Sequence, residues 1–258
     1  VSAAIQRLKE YQFLLVELTK RDFKRKYKRT VLGMLWSVIS PLLTLLVMRL
    51  VFTQFFGRAM EHYTTYLFAG NLVFSYFNEA TTVGMNALVG NKDIFSKVNV
   101  PKYMFVFASN VSSFINFCLT FLVFFLFVAL DGVPFTWMFL WLLFPIACLL
   151  LFNIGISAIL SALCMFFADM QYLYKVFTML LMYLSAIFYQ VEVYPESVQR
   201  IFLANPIYVY IKFIRLVVLN QTLPSTEYFI MATGYAVIAF VLGMWIYHKN
   251  NQKFIFYV

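Results

Sequence analysis

The sequence predicts an all-α integral membrane protein: six transmembrane helices, an N-terminal amphipathic interface helix, a short cytoplasmic helix and an external re-entrant helix pair. Three observations predict it. Of the 258 residues, 63% are hydrophobic and 12% charged, against about 45–50% and about 25% in soluble domains. The apolar residues fall into runs near the ~20 residues that cross a bilayer. Basic residues gather between those runs and ahead of them. The runs are too closely spaced for a separate soluble domain, so residues 1–258 read as one membrane domain, with 1–30 as its interface helix and 31–258 as its six-span part.

The elements follow in order. Over 5–29, Ile5, Leu8, Phe13, Leu14, Leu18 and Phe23 alternate at helical spacing with Lys9, Glu10, Glu17, Lys20, Arg21, Lys24 and Arg25. That pattern suits a helix lying in the cytoplasmic interface, and Lys24, Arg25, Lys26, Lys28 and Arg29 keep it out of the bilayer. It is not the basic-then-apolar pattern of a cleavable signal peptide. Spans are expected at about 32–56, 63–85, 104–130, 136–167, 173–190 and 228–247. Between spans two and three, Asn86–Pro101 mixes Leu88, Val89, Ile94, Phe95 and Val98 with Asn91, Lys92, Asp93 and Lys97. A short amphipathic helix with an exposed apolar face wants a partner protein; packing on the membrane surface is the alternative. Between spans five and six, Ile201–Ala204 and Ile207–Leu219 are apolar but short, punctuated by Pro195 and Pro206, and the second carries Lys212 and Arg215. A re-entrant pair fits this best, and a seventh span over 207–219 is the alternative.

The net charge of +9 is distributed by side. Nine of the 20 Lys and Arg lie in residues 1–30. With the N-terminus inside, fifteen basic residues fall on the cytoplasmic side and four outside: Arg58, Arg200, Lys212 and Arg215. The bias places both termini in the cytoplasm. No nucleic-acid-reading motif accompanies the charge, so no nucleic-acid partner is expected.

Catalytic signatures do not occur. There is no Gly-rich loop with Lys-Ser/Thr, no HExxH and no nucleophile elbow. His62 and His248 lie at opposite membrane faces, and Cys118, Cys148 and Cys164 read as small apolar residues within spans. A transport role is favoured over an enzyme, with no cofactor or metal on this chain. Arg49 and Glu79 are the two formal charges well inside spans. Their different depths argue against mutual pairing and suit a wet, polar-lined path; snorkelling or local hydrogen bonding is the alternative.

The run Leu18–Leu43, with Tyr27, Leu32, Gly33, Leu35, Trp36 and Pro41, resembles the membrane subunit of ABC polysaccharide exporters, the permeases for O-antigen, teichoic acid or capsule. Lys97-Val98-Asn99-Val100-Pro101-Lys102 and Asn205-Pro206 with Arg215 add to the resemblance, which covers nearly the whole chain. Ala168-Asp169 departs from it, since family members often carry Arg-Asp after span four. The resemblance implies a homodimer in the bacterial cytoplasmic (inner) membrane with two copies of a cytoplasmic ABC ATPase, which would hold the ATP and Mg. It implies that Leu88, Asn91, Lys92, Asp93, Ile94 and Phe95 form the coupling helix, and that Pro195, Ile201, Phe202, Asn205, Pro206 and Arg215 belong to an external gate. Spans one and five would line the channel, with Trp36, Tyr183 and Tyr189 as candidates to touch substrate beside Arg49 and Glu79. The substrate would be a polyprenyl-pyrophosphate-linked glycan surrounded by membrane lipid. A permease of the same architecture exporting a drug or lipid is the alternative.

Overall fold

The computed structural model describes residues 2–27, 30, 32–55, 61–97, 100–251 and 253–254. Lys28, Arg29, Arg58, Val98 and Asn99, and the side chains of Ile5, Leu8, Lys9, Glu10 and Tyr27, lie outside what is described. Among the described residues every regular element is a helix. They are α1 (Ser2–Tyr27), α2 (Trp36–Phe55), α3 (Tyr63–Met85), the short α4 (Lys92–Phe95), α5 (Tyr103–Leu130), α6 (Leu143–Phe166), α7 (Met170–Leu184), α8 (Glu196–Phe202), α9 (Pro206–Val218) and α10 (Thr226–Asn250). In lipid a helix satisfies its own backbone, which is why these apolar runs take that form.

α5, α10 and the run Trp137–Phe166, a 3-10 turn leading into α6, are long and apolar enough to cross a membrane. α2 and α3 have 20 and 23 residues. α7 has only 15 residues, about 22 Å at 1.5 Å per residue, short of the ~30 Å hydrocarbon core. The expected span to residue 190 therefore ends early. Ser185 closes the helix and Ala186 takes a left-handed φ of 50°.

α3 is the axis of the bundle. Phe68, Ala69, Val73 and Ala80 on it are fully buried, and it packs against α5, α6 and α9. Its outer end is tied to the end of α5: Thr65 Oγ1 donates to Asp131 Oδ2 at 2.6 Å. α5 itself stops in a Schellman turn, with Gly132 at φ 76° and Val133 N–H donating to the Val128 carbonyl. α8 and α9 meet at 109°. Asn205 caps α9, accepting from Ile207 N–H at 3.0 Å, with Pro206 as the first helical residue.

By contrast, α2 and α7 cover little of themselves. Leu43, Leu46, Val47 and Leu50 on α2, and Leu173, Val176, Phe177 and Leu180 on α7, are exposed. Cys118 is also exposed, rather than buried as its apolar span suggested.

α6 and α10 approach through glycine. A Cβ on Gly155 would sit 2.4 Å from the Ala239 carbonyl carbon, and one on Gly243 would sit 2.5 Å from Gly155 O. Small residues are what allow helix backbones to close up in a membrane. Gly155→Leu is expected to destabilise the bundle by about 3 kcal/mol, the upper end for overpacking, because backbone atoms cannot step aside. Gly234→Val, where a Cβ meets nothing within 4 Å, serves as the neutral control. Thermal unfolding in detergent checks both, and equal melting of Gly155→Leu and the parent would contradict the packing.

Candidate functional site

Three apolar helices each carry one polar stripe, and the fold turns the three stripes toward one another. On α2, Ser37, Ser40 and Thr44 fall at i, i+3 and i+7; on α3, Asn71, Ser75 and Glu79 at i, i+4 and i+8; on α5, Asn116 and Thr120 at i and i+4. Together with Lys26, Thr30, Trp36 and Tyr76 they line a cleft of about 420 Å³ within a single protomer. Several hydroxyl protons are already spent on the parent helix: Thr44 Oγ1 donates to Ser40 O at 2.9 Å and Thr120 Oγ1 to Asn116 O at 3.1 Å. Their remaining lone pairs accept.

Glu79 is the one carboxylate among the described residues that line the cleft. Its Oε1 accepts from Lys26 Nζ at 2.6 Å and from Asn116 Nδ2 at 2.8 Å. Of the two intramembrane charges, Glu79 lies on the cleft wall, with a partner 53 residues away in sequence. Arg49 is exposed and is not among the described residues that line the cleft. Five positions beyond Thr44, it stands about 140° round the helix at 3.6 residues per turn.

Trp36 stands at the cleft, but Tyr183 and Tyr189 do not join it. Tyr183 is exposed at the outer end of α7, and Tyr189 lies beyond the helix, its hydroxyl donating to Tyr183 O at 2.8 Å.

The outer end is organised by Arg215. Expected among external charges, it is buried to 4% exposure. Nη1 donates to Ala186 O at 2.8 Å, Nη2 to Ile187 O at 2.9 Å, and Nη2 and Nε to Tyr66 O at 3.2 and 3.3 Å. The guanidinium lies 3.4 Å from the centroid of the Tyr66 ring. A Cβ on Gly70 would fall 2.7 Å from Nη2, so the glycine makes the socket possible. The reason for the burial is the break after α7, which leaves carbonyls without helix partners. Tyr66 and Gly70, one turn apart, were not singled out from sequence; a glycine one turn from a tyrosine on an apolar helix is the signal that was there.

The remaining gate candidates lie on α8, at its N-cap and at the start of α9. Pro195 caps α8, Ile201 is exposed, and Phe202 meets Tyr189 edge-on at 6.2 Å. Asn205 Nδ2 donates to Leu184 O at 3.2 Å, fastening the α9 start to the α7 end where Pro206 follows. Lys212 pairs with Glu192.

At the inner end, the apolar side of the 86–101 segment is turned inward, contrary to the exposed face expected. Leu88 and Phe95 are buried in one cluster with Leu18, Met104, Phe105, Met165, Tyr247 and Phe254, and Ile94 is half-buried against it. These helix ends supply the cover that sequence alone assigned to a partner. Asn91 Oδ1 accepts from Arg21 Nη2 at 2.7 Å. The side left open is polar: Asp93, Ser96 and Lys97 are exposed and Lys92 half-exposed. Lys102 donates to Asn251 O beside Phe95 and Phe254, and burial lowers its pKa.

A multi-helix membrane bundle enclosing a polar cleft is the architecture of a membrane transporter. Residues 14–219 match the family model of the ABC-2 type transporter, and the chain belongs to that family. It is 28% identical over 243 residues to an O-antigen export system permease protein RfbA from Klebsiella pneumoniae, covering 93% of each chain. It is 26% identical over 255 residues to a protein of the same name from Myxococcus xanthus, covering 97% of each.

Arg215→Lys keeps the charge but loses the planar fork. It is expected to cost about 2–4 kcal/mol, since hydrogen bonds from a charged group are worth about 1.5–3 kcal/mol each. Tyr66→Phe, which removes only the 2.6 Å bond to Tyr189 O, should cost about 1 kcal/mol. Thermal melts of the purified protein rank the two; a silent Arg215→Lys would overturn the socket's role.

Proposed function

We propose that this chain is the channel-forming permease of an ATP-driven exporter that moves a polyprenyl-pyrophosphate-linked polysaccharide, O-antigen or teichoic-acid-like, across a bacterial cytoplasmic membrane. The observation that carries the reading is the cleft walled by hydroxyl, amide and carboxylate groups inside an apolar bundle; the O-antigen export names of the relatives support it. Two copies of the chain form the working unit. The exposed apolar faces of α2 and α7 suit a second copy, with the conduit between them. Six spans, with α7 completed by the chain to Tyr189, put both termini in the cytoplasm, as the basic residues ask. Two ABC ATPases dock on the polar outer side of the 89–97 segment and hold ATP and Mg. The α8–α9 pair closes the outer mouth.

One observation favours a second reading, export of a drug or lipid. An apolar groove of about 460 Å³ runs between α6 and α7, with Phe152, Ile156, Leu173 and Phe177 on its walls.

The test is reconstitution in vesicles with a partner ABC ATPase. The permease alone should hydrolyse no ATP. The complex should hydrolyse ATP and move a lipid-linked glycan, leaving a plain lipid in place. ATP hydrolysis by the lone chain, or transport of the lipid without the glycan, would overturn the reading. Asp93→Arg with Lys97→Glu, on the exposed side, should lower assembly with the ATPase at least tenfold and leave the permease's melting unchanged, as surface changes do.

A further inference from the structure

The cleft's charges say more than that it is polar. Among the described residues that line it only Lys26 and Glu79 are charged, and they are paired with each other. Both bonds to Glu79 end on Oε1; among the described residues Oε2 accepts none. A carboxylate has about four acceptor sites, so it retains capacity for hydroxyl donors. The Asn116 amide is held against it at 2.8 Å. Trp36, 40% exposed, offers an apolar ring face at the same cleft. The Tyr76 ring is on the wall, and its buried hydroxyl has no partner among the described residues. Side by side, a carboxylate, an amide and an indole face are the chemistry that holds a pyranose ring, whose adjacent hydroxyls donate to the acid while its C–H face lies on the aromatic.

We propose that this cleft is a sugar subsite within each protomer, apart from a conduit between copies, and that it selects a neutral sugar over an acidic one through the Glu79–Lys26 pair. The proposal rests on the export reading above. A neutral ring adds hydroxyl bonds to Glu79 Oε2 and leaves the ion pair intact. A uronate or phosphate group instead sets a second anion beside the half-buried Glu79 carboxylate and has to share Lys26 or draw it away, which is costly. A volume of about 420 Å³ lies within the ~300–1,000 Å³ range of ligand pockets and takes a short run of sugar rings.

The experiment uses the full chain assembled with its ATPase in lipid discs, with Trp137, Trp141 and Trp245 and every tryptophan of the ATPase replaced by Phe so that Trp36 reports alone. The probes are mannotriose, which is neutral, and trigalacturonate, which is acidic. Mannotriose should change Trp36 fluorescence with a Kd on the order of 1 mM, and trigalacturonate should bind at least about tenfold more weakly, the worth of one lost charged hydrogen bond. Glu79→Gln should weaken mannotriose about tenfold and tighten trigalacturonate, because Lys26 is released to meet the acid. Lys26→Met should keep mannotriose within about twofold and weaken trigalacturonate further. These opposite shifts are not what a merely structural pair produces, and if one variant fails to fold the other still decides. The proposal falls if trigalacturonate binds the parent as tightly as mannotriose, or if neither variant changes the ratio. No saturable response to mannotriose in a complex that still transports its glycan sinks the subsite alone. Binding without any glycan transport sinks the export reading instead.

Discussion

The carbonyl groups freed where α7 stops have to be met inside an apolar medium, and the outer half of the molecule is arranged to meet them. Lipid provides no donors, so an unsatisfied carbonyl there costs several kcal/mol. The carbonyls of Ala186 and Ile187 accept from Arg215, that of Phe188 from the Tyr63 hydroxyl at 3.0 Å, and that of Tyr189 from the Tyr66 hydroxyl. One end of α3, the break and the last turn of α9 are thereby fixed to one another. Arg215 has no carboxylate partner among the described residues; carbonyl dipoles and the face of Tyr66 stand in for one. The bent α8–α9 pair then follows from this anchor, with Asn205 bonded to Leu184 and Lys212 to Glu192.

The inner end obeys a different rule. There, elements distant in sequence share one apolar cluster: Leu18 from α1, Leu88 and Phe95 from the 86–101 segment, Met104 and Phe105 from α5, Tyr247 from α10 and Phe254 beyond it. Arg21 joins α1 to Asn91, and Lys26 joins the end of α1 to Glu79 in the cleft. A displacement of the 89–95 turn is thus felt by α1, and the last turn of α1 touches the cleft. What links the two places is spatial contiguity through packed side chains, with an ion pair at the far end.

The sequence pattern finds α3, α5 and the run Trp137–Phe166 to within a residue and α10 to within three, because length and apolarity decide them. It carried α7 six residues too far, since Ala186–Tyr189 is as apolar as the helix before it. What meets the carbonyls freed there is Arg215, 29 residues away from Ala186, and no local pattern contains that partner. The same limit hid Lys26 as the partner of Glu79. Glu79 was legible as a polar exception and Trp36 only through the family resemblance, while Arg49, as exceptional as Glu79, stands off the cleft because its position round α2 decides its surroundings. Amphipathicity in the 86–101 segment showed that one side would be covered, but it could not say that the same chain does the covering.

The polar stripes raise a further point about how a wet cleft can be built on lipid-soluble helices. Serine and threonine are tolerated there because they bond back to their own helix, as Thr44 does to Ser40 O in the cleft. Thr233 does the same to Phe229 O at an exposed position on α10. The two threonines are chemically alike and one lies outside the cleft, so hydroxyls by themselves do not mark a site. Asn71, Asn116 and Glu79 are different. A carboxylate or amide has more polar capacity than its own helix can satisfy, so within an apolar bundle it needs a partner, water or ligand across a gap. Each of the three lies on the cleft. The groups that cannot satisfy themselves locally are therefore the ones that give the cleft its chemistry, and the hydroxyls make room for it at little cost to the helices that carry them.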